Sequence, residues 1–212
     1  MKKILLVIVL IIGILSCGMP KEIEYPDENL KIENSIVLYK NKKYTGKITI
    51  KDERKGVAGE INLKDGKLDG KGIFEIGGNY LLEYNIMNGN LDGQLIERFE
   101  KTILKSEYKT GKIKNIYYKG DNTMEKNFSF DDSGRVNGTV KVLENGDIVA
   151  FKDGVGARPD WNMEFKMYIN EDGKLVEESY TNGVLDDMYI SDDYIHNINA
   201  IETIIFGKLW NL

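Results

Sequence analysis

Glycines recur in this chain at a nearly constant interval, and that interval constrains the fold more than any other feature. Gly46, Gly70, Gly93 and Gly138 fall on one ladder, with Asn115 filling a rung, at spacings of 24, 23, 22 and 23 residues. A second ladder runs through Gly66, Gly89, Gly111 and Gly134, spaced 23, 22 and 23. The segments between the ladders share an apolar third position, as in Gly66-Lys67-Leu68-Asp69-Gly70 and Gly89-Asn90-Leu91-Asp92-Gly93. Looser copies follow at Gly173 and Gly183. A fixed period of this size marks a repeat array, in which each repeat is one supersecondary unit.

Between the glycines lie short β-prone runs such as 72–76, 80–84 and 116–119, and clean alternations such as Phe128 with Phe130 and Val140 with Val142. Period-two alternation bounded by Gly and Asn is the strand signature. Asp65-Gly66, Asn88-Gly89, Asn145-Gly146, Asp172-Gly173 and Asn182-Gly183 are hairpin dipeptides, because type I′ turns require positive φ at both central residues. About 22 residues accommodate two strands and two tight turns. The expected fold is therefore mainly β: a single-layer antiparallel meander of tandem 22–23-residue hairpin repeats over residues 32–190.

Such an array needs protected ends. Residues 30–50 can supply an irregular first hairpin. At the other end, Ile195, Ile198, Ile201 and Ile205 recur at helical spacing. Ser191 is the expected N-cap, with Asp192 and Asp193 in the first turn. The expectation is an amphipathic capping helix within 191–212 that packs on the last hairpins; the alternative is a partner-binding or membrane-surface helix.

At the N-terminus, Lys2 and Lys3 precede an apolar run from Ile4 to Leu15, and Ser16-Cys17 closes it. The run is far shorter than the ~20 residues that span a bilayer. A basic start, a short apolar stretch and a small residue before the cut describe a secretory signal. The segment resembles the lipobox of bacterial lipoproteins. That resemblance implies cleavage after residues 1–16 and a diacylglycerol on Cys17, the only cysteine. A cleaved signal with an incidental cysteine and a membrane anchor are the other readings. Residues 17–31, with two of the three prolines and many charges, read as a lipidated N-terminus and flexible tether. Gly18 rather than aspartate after Cys17 implies, by the same resemblance, the outer membrane in a diderm cell. Cleavage removes Lys2 and Lys3 and takes the net charge from −5 to −7. An acidic domain of this kind is not a nucleic-acid binder.

The stretch Leu38-Tyr39-Lys40-Asn41-Lys42-Lys43-Tyr44-Thr45-Gly46-Lys47, with the later Asp69-Gly70 and Asp92-Gly93 copies, resembles the bacterial MORN-type repeat proteins of the YwqK-like antitoxin-module family. The resemblance covers residues 36–187 and implies a β-hairpin array acting as a binding scaffold.

Chemistry finds little support in these residues. His196 is the only histidine, and it lies among isoleucines of the expected helix. One histidine and one lipidated cysteine cannot assemble the usual zinc or copper site. The acidic turns at 131–134, 171–173 and 186–187 miss the ligand spacing of a calcium loop. No cofactor is expected. The expected function is non-catalytic: a membrane-tethered envelope scaffold or adhesion module, partnered by the membrane through its lipid and by an unknown protein or surface ligand. The alternatives are a toxin-neutralising immunity protein or an envelope enzyme. The twelve tyrosines either fill the concave side of the sheet or form an adhesive face. Trp161, beside Pro159, is either a binding anchor or a cover for the sheet.

Overall fold

A computed structural model describes residues 19–158, 162–191 and 196–210. The expected signal segment 1–16, the expected lipidation site Cys17 and the possible anchor Trp161 lie outside the described residues. The strands are β1 (Glu22–Tyr25), β2 (Leu30–Glu33), β3 (Ile36–Tyr39), β4 (Lys42–Lys43), β5 (Gly46–Asp52), β6 (Val57–Lys64), β7 (Lys67–Leu68), β8 (Gly70–Ile76), β9 (Tyr80–Met87) and β10 (Asn90–Leu91). They continue with β11 (Gly93–Phe99), β12 (Thr102–Lys109), β13 (Lys112–Lys119), β14 (Met124–Phe130), β15 (Val136–Val142), β16 (Ile148–Lys152), β17 (Val155–Arg158), β18 (Met163–Ile169), β19 (Leu175–Thr181) and β20 (Val184–Ser191). One helix, α1 (Ile198–Trp210), ends the described chain.

The expected antiparallel meander is present. From β5 to β20 each long strand pairs with the next long strand, in an unclosed sheet. Tight turns set the register. Asp65 and Gly66 have φ of 52° and 81°, the left-handed pair that a type I′ hairpin demands. Asn88-Gly89 and Asn182-Gly183 share that geometry, as do Thr110-Gly111, at the expected turn glycine Gly111, and Asp153-Gly154, which is not among the expected hairpin dipeptides. At Asn145-Gly146 and Asp172-Gly173 only the glycine is left-handed. There the loops are longer, and Asn145 and Asn170 accept backbone N–H groups within them.

Three expectations need correction. Within the expected tether, Glu22–Tyr25 is a strand that pairs in parallel with β5, matching Ile23 to Ile48 and Tyr25 to Ile50. Ile23 and Tyr25 are buried; two apolar residues between Pro20 and Pro26 are too short a pattern to read as a strand. Residues 30–43 form a separate three-stranded sheet, the irregular first hairpin. Second, Ser191 is not an N-cap but the buried last residue of β20. The cap is Asn197, whose Oδ1 accepts the Ala200 N–H at 3.0 Å, and the first turn of α1 carries no acid.

Third, α1 does not pack on the last hairpins. It crosses to the first half of the sheet, where Ile201, Ile205, Phe206 and Leu209 join a core with Ile23, Ile48, Ile61, Phe74, Leu82, Tyr84 and Leu95. Full burial of such a side chain stabilises by roughly 1.5–3 kcal/mol. Trp210 meets Tyr25 edge to face at 5.5 Å, and the Leu209 carbonyl accepts from the Tyr25 hydroxyl and the Lys55 ammonium. A cation at the C-terminal end of a helix complements its dipole. His196 lies just before the helix: its Nε2 is 2.9 Å from the Glu97 carboxylate, and its backbone N–H donates to Tyr108. The lone histidine is thus a packed docking residue.

The second half of the sheet has its own core, built on Leu104, Ile116, Phe128, Val136, Phe151, Met167 and Leu175. It exists because the sheet curls: Arg135 bridges to Tyr168, bringing β15 against β18 past the short β16 and β17.

Candidate binding face

The α1 side of the sheet is filled, so the opposite face is the surface available for recognition. Alternation along each strand decides what it carries. Cross-strand pairing aligns one continuous row: Glu24, Thr49, Glu60, Ile73, Glu83, Ile96, Lys105, Tyr117, Asn127 and Thr139. A neighbouring row is polar throughout: Glu22, Lys47, Asn62, Lys71, Asn85, Gln94, Glu107, Asn115, Ser129 and Asn137. Strands lie ≈ 4.7–4.9 Å apart, so each row is a regular series of side chains running across the strands, the first mixing polar groups with Ile73, Ile96 and Tyr117.

The two rows enclose a groove of about 580 Å³, lined among others by Glu60, Asn62, Lys71, Ile73, Glu83, Asn85, Gln94 and Ile96. These eight residues are four repeat-equivalent pairs, each 23 apart: Glu60 and Glu83, Asn62 and Asn85, Lys71 and Gln94, Ile73 and Ile96. The repeat thus copies a surface as well as a fold. The amides are held in place: Asn62 Nδ2 donates to the Lys71 carbonyl at 2.7 Å, and Asn85 Nδ2 donates to the Asp92 carbonyl at 2.5 Å. Asn115 Nδ2 donates to Glu107. At the β1 end, Lys47 Nζ lies 2.8 Å from Glu22 and 3.5 Å from Glu60. Hydrogen bonds from Lys47 and then Thr49 hold the Glu22 carboxyl below its usual range, and Glu22 in turn raises the Lys47 ammonium.

The turn residues singled out in the sequence divide into three groups. Gly66, Gly89 and Gly111 sit in tight turns; Gly134 closes the loop in which Asp131 accepts from Ser133 and Arg135. Those hydrogen bonds, Ser133 first, pull the Asp131 carboxyl down to about 2. Gly46, Gly70 and Gly93 open β5, β8 and β11 directly after short segments. Gly138 is a correction: it lies inside β15 and not at a turn. A Cβ there would stand 1.9 Å from the Asn127 carbonyl oxygen, so glycine is required by the close approach of β14.

Of the tyrosines, Tyr25, Tyr44, Tyr84 and Tyr108 are buried on the helix side, while Tyr117 stands on the open face. Among the described residues, no three His, Cys, Asp or Glu side chains are grouped to hold a metal ion. No helix of the described residues is long and apolar enough to cross a membrane. The open-face residues were missed in the sequence because a row exists only once strand register is known. The 23-residue recurrence of Glu60 and Glu83, or of Asn62 and Asn85, was the available signal. No protein-family model matches the chain, and no curated protein matches it.

Proposed function

We propose that this chain is a non-catalytic binding module of the cell envelope, tethered to a membrane through Cys17, which recognises its partner with the open face of the sheet. The observation that carries this reading is the repeat-built groove: Glu, Asn and Ile recur in matching places of successive repeats, with Lys71 answered by Gln94 at a fourth, and together they line one shallow surface. The polar row balances Glu22 and Glu107 against Lys47 and Lys71, while the adjacent row sets Glu24, Glu60 and Glu83 against Lys105, so the face carries a small negative excess among amides and hydroxyls. Such a surface suits a hydrogen-bonding partner that is neutral or weakly basic and not a polyanion. Its position on the face opposite α1 leaves the whole length of the row open. The MORN-type resemblance points the same way.

The test has two parts. Labelling cells with a radioactive fatty acid should mark the protein, and Cys17→Ala should abolish both the label and membrane retention. Whole-cell chemical cross-linking should then give a discrete adduct that the triple variant Glu83→Ala/Lys105→Ala/Tyr117→Ala loses while keeping its circular dichroism. An adduct that survives the triple variant would place recognition elsewhere.

A further inference from the structure

Three repeat-equivalent positions on the first row of the open face carry charge. Glu60 of β6, Glu83 of β9 and Lys105 of β12 align through Ile73 and Ile96. One strand intervenes between each charge and the next, so the interval is two strand spacings, about 9.4–9.8 Å. The order is negative, negative, positive. Among the described residues neither Glu83 nor Lys105 is in an ion pair, and Glu60 has Lys47 at 3.5 Å.

A partner that pairs with all three must present one face at that interval. An extended strand returns a side chain to the same face every two residues, about 6.4–6.8 Å, and falls out of step. An α-helix returns after seven residues, about 10.5 Å, and its backbone is satisfied internally, leaving nothing for the neighbouring row of amides. A polyproline-II segment repeats every three residues, about 9.3 Å, and has no internal hydrogen bonds. Its carbonyls can accept from Lys71 and Gln94 of the second row. Its N–H groups can donate to the oxygens of Asn62 and Asn85, whose amide nitrogens are already engaged. The stems of long basic side chains can lie on Ile73 and Ile96, with their charges at the carboxylates.

We infer that the open face holds a polyproline-II segment of a partner protein, running across the strands, with charged side chains at every third residue in the order basic, basic, acidic. Such a segment is weakly basic, in keeping with the charge of the face, and the order of signs gives it specificity. The inference names the partner of the recognition face proposed above and rests on that reading.

The test is fluorescence anisotropy of the full chain in detergent with labelled, end-capped peptides of one composition. Arg-Pro-Pro-Arg-Pro-Pro-Glu and its reversed sequence carry the inferred order, and Arg-Pro-Pro-Glu-Pro-Pro-Arg carries the same charges in the wrong order. The better of the first two should bind at least tenfold tighter than the third. Lys105→Glu should turn the preference toward Arg-Pro-Pro-Arg-Pro-Pro-Arg while leaving the circular dichroism unchanged. Equal affinities for the two orders, a preference that Lys105→Glu does not move, or tighter binding of a control with charges at every second residue would each overturn the inference. So would a face that takes up cellotetraose and none of the peptides. If the cellular adduct nonetheless depends on Glu83, Lys105 and Tyr117, the face stands as the recognition surface and only this partner is wrong. An adduct that survives the triple variant removes both.

Discussion

The Lys126 ammonium lies 2.7 Å from the Glu177 carboxylate, although four strands separate β14 from β19 along the sheet. Lys126 is almost wholly buried, and the pair spans the second core. A flat sheet could not bring these residues together; the curl that makes a single layer enclose a core does. Substituting one partner of a buried pair leaves the other charge in a poor environment, whereas removing both is often nearly neutral. Glu177→Leu should therefore cost about 3 kcal/mol, at the low end for buried pairs because Glu177 is partly exposed. Lys126→Met/Glu177→Leu should recover most of that loss. Urea denaturation of the three proteins checks it; a single-variant cost below about 0.5 kcal/mol, the surface-pair range, would mean that the pair is effectively solvated.

The docking of α1 should be sensitive to acid. Burial raises the Glu97 carboxyl, but hydrogen bonds from His196 and Tyr80 outweigh it and leave the group below its usual range. A depressed carboxyl contributes stability that is present above its unfolded value, ~4.3, and is lost as pH falls through the folded value. Glu97→Gln should thus lower the melting temperature at neutral pH and flatten the loss of stability below about pH 4. Parallel acid limbs for the two proteins would remove Glu97 from the account.

Glu202 of α1 should behave in the opposite sense. Burial raises its carboxyl, and Lys67 only partly offsets the shift. A carboxyl raised on folding opposes the folded state above the folded pKa, and this penalty vanishes below the unfolded value. Glu202→Gln should accordingly raise the melting temperature at pH 7 and leave it unchanged at pH values below about 4. Calorimetry at the two pH values reads both results. A stabilisation that persists in acid would point to packing instead of charge.

Nearby, Tyr84 tests the core beneath the helix. Its ring lies over Gly72, where a Cβ would meet the phenol oxygen at 2.3 Å, and among the described residues its hydroxyl has no hydrogen-bond partner. An unsatisfied buried hydroxyl carries a desolvation cost of about 1–3 kcal/mol. Tyr84→Phe should therefore keep or raise stability, and Gly72→Ala should lower it by about 1–3 kcal/mol through overpacking. Chemical denaturation of the two variants separates the effects; a destabilised Tyr84→Phe would reveal a partner for the hydroxyl.

What could be read from the sequence was local. Asp65-Gly66 and Asn88-Gly89 announce hairpins because two adjacent residues hold the whole of the turn chemistry. Ile201 and Ile205 announce a helix because four-residue spacing is enough. Nothing within α1 says that these isoleucines meet Ile23 and Ile48, since that contact joins segments some 150 residues or more apart in sequence. Glu22–Tyr25 failed for a related reason: a parallel edge strand of four residues acquires its meaning from β5. The open face was half legible, as a recurrence of residue types without the register that turns recurrence into a row.

Central to this account is recognition through the open face, and site-specific photo-cross-linking in intact cells tests it most directly. A photoreactive residue at Tyr117, in the middle of the face, would be compared with one at Glu144, on an exposed loop. The account predicts a discrete, saturable adduct from position 117 and none from position 144. Adducts from the loop alone, or equal diffuse labelling from both, would contradict it.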